Sequence, residues 1–258
     1  MPRIMTYNVH RCVGGDGKLD VRRIVDVIAE SKPDIVALQE LDVGRARTRG
    51  VDQAHAIAEL LGMRFRFHAA LKVEEELYGD ALLTAYPERL IKAGPLPGLP
   101  ALPRLEPRGA VWAALEVEGA ELNVVTTHFG LLAREQAAQA DTLMGPQWLG
   151  GRERLDNFIL LGDFNATSGS AAHRRLTARL RDAQMQLAGR KLPTYPSVFP
   201  MLRIDHAFVG DAVEVTDVRA PATPLAKAAS DHLPLVIDFR LRAPGVASLG
   251  DPPSPAAR

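Results

Sequence analysis

Hydrophobic positions along this chain switch between two periods, every second residue and every third or fourth, and the switches mark out strands and helices. Ile4 to Asn8 predicts a first strand, followed by a loop, Gly14-Gly15-Asp16-Gly17, too rich in glycine for regular structure. Asp20 stands as an N-cap, because Val21, Ile24, Val25 and Ile28 share one helical face and Pro33 closes the segment. Asp34 to Gln39 is an apolar run of strand length that delivers Glu40 at its end. A second amphipathic helix spans Gln53 to Leu61, and strands are expected at Arg64 to His68 and Ala81 to Tyr86 around a polar segment, 74–80.

Five prolines between 93 and 107 forbid an interior helix or a central strand there. Leu96, Leu99, Leu102 and Leu105 then belong either to a packed connector, the preferred reading, or to a loop that touches lipid. Ala110 to Val117 and Glu121 to His128 alternate well and are joined by Glu118-Gly119, a hairpin with His128 at its far end. A helix from Leu132 to Met144, a strand from Asn157 to Leu161 and a basic helical stretch from Ala172 to Gln186 follow. After a proline-broken loop come strands at Ile204 to Val209, Val213 to Arg219 and Leu235 to Leu241. Residues 1–242 read as one domain, and 243–258, rich in proline, alanine and serine, as a disordered tail.

The stretch with most chemistry is Ile159-Leu160-Leu161-Gly162-Asp163-Phe164-Asn165. Three apolar residues end a buried strand, Gly162 permits a sharp exit, and alternation would aim Asp163 and Asn165 together while Phe164 returns to the core. The plainer alternative is a turn, since Gly, Asp and Asn are common turn residues. Its neighbours weigh against that alternative. Asn8, Glu40, His128, Asp163, Asn165, Asp205, His206, Asp231 and His232 all stand just past apolar runs, where an α/β scaffold exposes functional groups.

Composition narrows the partners. The 31 basic residues balance 31 acidic ones over 258 residues, and no basic stripe stands out, which disfavours a dedicated nucleic-acid binder. Arg45, Arg47 and Arg49 alternate with small residues in a loop that is either solvated charge or a clamp for an anionic substrate. A single cysteine, Cys12, leaves no disulfide framework and no cysteine metal cluster. No charged-then-apolar leader or bilayer-length apolar run is seen, so a cytoplasmic, monomeric protein without a stable protein partner is expected.

The ordered set Thr6-Tyr7-Asn8, Gln39-Glu40, Thr127-His128, Gly162-Asp163-Phe164-Asn165, Ile204-Asp205-His206 and Ser230-Asp231-His232-Leu233-Pro234 resembles the endonuclease/exonuclease/phosphatase superfamily of deoxyribonuclease I-like, metal-dependent phosphoesterases. The resemblance implies an α/β, four-layer α/β/β/α sandwich of two mixed, mainly antiparallel sheets with the site at one rim. It implies Mg²⁺, with Mn²⁺ as a substitute, held by Glu40 and by Asn8 or by Asp231 through water. By the same carry-over His232 with Asp205 forms the general-base end, Asp163 being the alternative activator of water. Asn165, Asn8 and His128 would hold phosphoryl oxygens, with His128 also at the leaving group.

Three residues keep open roles. Asp80 stands where family members often carry an amide, and it would pair with His128, bind metal or weaken anion binding. His206 either serves the site or only packs. His10 shares a face with Asn8, although a satisfied surface histidine is its plainer reading. The expected activity is in-line attack of water on a small-molecule or lipid phosphodiester or monoester. The alternatives are a nuclease of the same fold and a non-catalytic phosphate-binding module.

Overall fold

The computed structural model describes residues 1–187 and 191–242. The proposed disordered tail, 243–258, lies outside the described residues. Twelve strands form two six-stranded sheets. The first sheet is built around β1 (Arg3–Asn8) and β2 (Ile35–Val43), which run parallel because α1 (Val21–Ser31) carries the chain back between them. The second repeats the device with β7 (Ala120–His128) and β8 (Phe158–Asp163), parallel across α3 (Ala133–Leu143). All other pairings are antiparallel.

The first sheet is completed by β3 (Arg64–Val73), β4 (Glu76–Thr84), β11 (Val213–Arg219) and β12 (Leu235–Leu241), in the order β11-β12-β1-β2-β4-β3. The second adds β5 (Glu88–Leu96), β6 (Arg108–Val117), β9 (Arg181–Asp182) and β10 (Asp205–Val209), in the order β5-β6-β7-β8-β10-β9. Alternation sends Ile4, Ile35, Ile159 and Leu161 into the core between the sheets. Met5, Val36 and Leu38 go outward onto α1, α2 (Gln53–Leu61) and α5 (Pro224–Ala229). Leu160 and Val125 go outward onto α3 and α4 (Ala171–Thr177). Three apolar cores separate four layers, the expected α/β/β/α sandwich.

Local signals account for many boundaries. The Asp20 carboxylate accepts from Arg23 N–H at 3.0 Å and Asp52 from His55 N–H at 2.9 Å, capping α1 and α2. Glu118 and Gly119 take φ of 50° and 82°, the two left-handed residues of a tight hairpin between β6 and β7.

The structure corrects four expectations. First, β2 does not end before Glu40 but runs on to Val43, with an extra residue between Leu38 and Leu41 opposite β4. Glu40, at φ 61°, sits in that bulge, which re-aims a side chain without ending the strand. Second, β5 reaches into the proline-rich segment; Pro95 is tolerated because β5 is an edge strand, and Leu96 is core while Leu102 is exposed. Third, the basic helix is only α4, because Asp182 is held by Gln184 N–H, His173 and Arg203 and turns the chain into β9. Fourth, Gly162 is needed less for a sharp exit than for close approach. A Cβ there would lie 1.9 Å from the Thr127 carbonyl oxygen on β7.

Gly162→Ala should therefore wedge β7 from β8 and destabilise the protein by roughly 2–4 kcal/mol, read as a lowered midpoint in chemical denaturation. An unchanged midpoint would contradict the close approach.

Candidate active site

The carboxyl ends of the two parallel pairs lie at the same edge of the sandwich, and there the strand-end residues converge on a cleft of about 490 Å³. Asn8 ends β1 and is buried. Its side-chain amide donates to Glu40 Oε1 at 3.1 Å on the first sheet and to Asp163 Oδ2 at 3.0 Å on the second. Its own Oδ1 accepts from His10 N–H at 3.0 Å, so the amide orientation is fixed from behind.

Asp163 is the middle of the site. Its Oδ2 lies 3.5 Å from His128 Nε2 and 3.7 Å from His232 Nε2, and its Oδ1 accepts the Asn165 backbone N–H at 2.9 Å. That last bond folds the chain just past β8, with Asn165 at φ 48°. A carboxylate-anchored turn, not strand alternation, thus brings Asn165 to the cleft. Phe164 does return to the core. The Asn165 amide donates to the Phe129 carbonyl at 3.0 Å and lies 3.1 Å from His128 Nε2.

Opposite, Asp205 pairs across the sheet with Asp163, and its Oδ2 meets His232 Nδ1 at 2.9 Å and the Thr194 hydroxyl. Burial disfavours the His232 imidazolium, but Asp205, Asp163 and Asp231 together outweigh burial and lift its pKa to about 10. Burial and the nearby Asp205 charge raise Asp163, against the His232 charge and the bonds from Asn8 and Asn165. His128 behaves oppositely. Burial, then Arg108, then His232 push its pKa well below 6.5.

Arg108 is the main residue sequence reasoning missed. It is buried, its Nη1 lies 2.9 Å from His128 Nδ1, and it is paired with Glu106 at 2.7 Å. A guanidinium can only donate, so Nδ1 is the acceptor and Nε2 carries the proton of a neutral ring, aimed at Asp163 Oδ2 and not at the Asn165 amide nitrogen, itself a donor that bonds the Phe129 carbonyl. Register counting would not have found it: counting back from the Glu118-Gly119 turn puts Ala110 opposite Thr127 and so Gly109 opposite His128, and strict alternation would assign Arg108 to the other face. Asp80 does not hold His128. It is buried near the site, and burial, opposed by Arg108 and reinforced by Glu40 and Asp163, raises its pKa to about 8.

Other expected residues divide. Asp231 and Glu40 are half-buried and line the cleft, as do His10 and Arg47. Arg47 is committed to Asp42 through two contacts of 2.7 Å. Arg45 does not line the cleft and is paired with Glu76 at 3.3 Å. His206 faces away from it, among Phe164, Phe208 and His173, with Nε2 2.8 Å from the Ala166 carbonyl. Its alternation with Asp205 along β10 explains why one serves the rim and the other the core. Arg11, Tyr78, Tyr195, Leu131 and Leu202 complete the lining.

The site fits a divalent cation. Buried carboxylates with raised pKa values have too little positive charge around them, and the donors at Glu40 and Asp231 are oxygens, as a hard cation prefers. Asp163, Asp205 and His232 also offer ligand atoms within 4.8 Å of one another. Asp205 and His232 already satisfy each other, so the Glu40 side is the better place. Asn8 spends its amide on orienting Glu40 and Asp163.

A sequence profile described as the Endonuclease/Exonuclease/phosphatase family matches residues 5–232. The chain belongs to that family. Its members are phosphoesterase hydrolases. The chain is similar to the uncharacterised protein YbhP of Escherichia coli (strain K12), 26% identical over 254 residues, covering 93% of this chain and 96% of that protein. Among solved structures, a family protein from Beutenbergia cavernae DSM 12333 superposes with a TM-score of 0.72 at 24% identity, covering 95% of this chain and 73% of that one. A mannosyl-6-phosphatase from Bacteroides thetaiotaomicron VPI-5482 also gives 0.72, at 19% identity over 93% of this chain and all of that one (100%). No helix among the described residues is long and apolar enough to cross a membrane.

The charge balance predicts an unusual pH response for the metal-free protein. His232, raised from 6.5 to about 10, stabilises the fold fully below pH 6.5 and loses that contribution as pH climbs toward 10. Asp80, raised from 3.8 to about 8, acts with the same sign, favouring the fold while protonated and losing this through about pH 8. With chelator present the melting temperature should fall between pH 6.5 and 10, and a divalent cation should restore it most at the alkaline end. A flat profile that ignores the cation would contradict this charge balance.

Proposed function

We propose that the protein is a Mg²⁺-dependent hydrolase of a small-molecule or lipid phosphate ester, acting by in-line attack of water. The observation that carries this reading is Asp163, buried between His128 and His232 and tied to Glu40 through Asn8. A divalent cation held by Glu40 and Asp231 would neutralise charge building on the phosphoryl oxygens.

The chain's own residues do the rest. A group whose pKa is near 10 is no base at neutral pH, so His232 serves as an imidazolium, oriented by Asp205, that donates to a phosphoryl oxygen. The base role passes to Asp163, whose raised pKa makes it a better proton acceptor than an ordinary carboxylate. As the water oxygen bonds to phosphorus, the water proton moves to Asp163 and the ester bond breaks, its oxygen leaving as the alkoxide that solvent protonates. His128 Nε2–H and the Asn165 amide hold the oxygens opposite, and Arg108 keeps His128 in that tautomer.

Substrate class rests on charge. Of the three arginines that would track a nucleic-acid backbone, Arg45, Arg47 and Arg49, the first two are neutralised by Glu76 and Asp42. This supports a small or lipid ester over a polymer. A sugar phosphate, as in the name of the similar Bacteroides enzyme, is one such ester. Residues 1–242 form the catalytic domain of a cytoplasmic monomer, with Mn²⁺ able to replace Mg²⁺.

Glu40→Gln should reduce hydrolysis of bis-p-nitrophenyl phosphate, p-nitrophenyl phosphate or phospholipid by about 10³-fold, and chelator should do the same to the parent protein. Plasmid DNA should stay intact. Full activity of a clean Glu40→Gln preparation would remove the cation assignment, and plasmid nicking lost in that variant would redirect the reading to a nuclease.

A further inference from the structure

Two segments with exposed apolar side chains adjoin the cleft. In the loop between Tyr195 and Leu202, Val198 is 69% exposed, Phe199 71%, Met201 65% and Leu202 43%. Leu131, at 67%, and Leu132, at 40%, stand just past β7. Leu131 and Leu202 line the same cleft as His128, Asp163 and His232. Side chains this large are exposed together only at a cost, and such clusters mark contact surfaces.

The loop is held rigidly in this exposed state. Tyr195 and Leu202 exchange backbone bonds of 3.1 and 2.8 Å, and Phe199 N–H closes a turn on Pro196 O at 3.1 Å. Ser197 N–H donates to the Asp231 carbonyl at 2.7 Å and its hydroxyl to the Ser230 carbonyl at 2.7 Å. Thr194 bonds Asp205. The backbone is therefore satisfied within the loop and by the segment that carries Asp231 and His232, and among the described residues the apolar side chains stay exposed.

We propose that the Val198–Leu202 loop, with Leu131 and Leu132, docks the protein on a phospholipid bilayer, so that an ester in the headgroup layer enters the cleft directly. This rests on the phosphoesterase reading above and narrows its substrate to a membrane lipid. Side chains that project, in place of a slot that encloses, suit a deformable apolar phase. Phosphate chemistry beside that apolar tip has the layout of a phospholipid, whose phosphate ester adjoins its acyl chains. A second copy of the chain or the apolar part of a soluble substrate would be the competing occupants.

The test uses the full chain and a V198S/F199S/M201S variant, which alters exposed positions outside the catalytic cleft. Both are floated with vesicles of phosphatidylcholine, with and without phosphatidylglycerol. The parent protein should float with vesicles, and the variant should bind at least about tenfold more weakly. Both should hydrolyse soluble bis-p-nitrophenyl phosphate at the same rate. A second variant, Phe199→Trp, should show blue-shifted emission on adding vesicles. Equal flotation of parent and triple variant, absence of flotation, or an unshifted Trp spectrum would overturn docking. A dimer in light scattering that the triple variant disperses would assign the surface to a second copy and overturn it too. Equal losses by the variant on vesicle and soluble substrates would do the same, by assigning the loop to substrate contact in solution. Failure to cleave the soluble ester would count against the phosphoesterase reading alone, because flotation is scored independently of turnover.

Discussion

Two hydrogen bonds from one buried amide hold this protein's chemistry in register. Asn8 donates to Glu40 on its own sheet and to Asp163 on the facing sheet, so two carboxylates that would repel are kept on either side of a neutral donor. Buried anions are tolerated only when hydrogen-bonded or paired. The remaining charge is met by His232 and Arg108, each aimed at a different part of the cluster. A further bridge beneath it, Thr6 to Gln39 to Thr126, joins the sheets at 3.2 Å per step. Relative motion of the sheets would break the site before it broke the cores.

The architecture explains why those groups meet at one rim. Each sheet has one parallel pair: register sets Asn8 beside Gln39, next to the bulge that turns Glu40 toward it, and sets His128 beside Asp163 where β7 and β8 end. Antiparallel neighbours then begin where these end. Asp205 opens β10 opposite Asp163, and His232 lies three residues before β12. Burial disfavours the charged form of both rings; the Asp205 carboxylate behind His232 outweighs it, and the Arg108 guanidinium behind His128 adds to it. One cleft thus holds a cationic ring and a neutral ring on either side of a buried carboxylate.

Much of this was written in the pattern of the chain. The Asp20 cap, the Glu118-Gly119 hairpin and the Gln53–Leu61 helix are local devices, and local chemistry decides them. The order of polar residues at strand exits marked the site, because a buried sheet leaves its functional groups only at its ends. What stayed hidden depends on distant partners. The Glu40 bulge is defined by register against β4, the need for Gly162 by the Thr127 carbonyl, and the fate of Arg45 by Glu76. Arg108 was beyond register counting, which sets Gly109 against His128, and its role depends on which atom of His128 it meets.

The central claim is that a carboxylate, Asp163, is the base and that His232 acts as a cation held by Asp205. The most direct measurement is the pH dependence of kcat/KM for bis-p-nitrophenyl phosphate with saturating Mg²⁺, in the parent protein and in Asp205→Asn. The account predicts a bell, rising as Asp163 ionises and falling as His232 loses its proton, with the falling limb moved to lower pH in Asp205→Asn. A rate that keeps climbing where His232 deprotonates, or a falling limb that Asp205→Asn leaves in place, would contradict it.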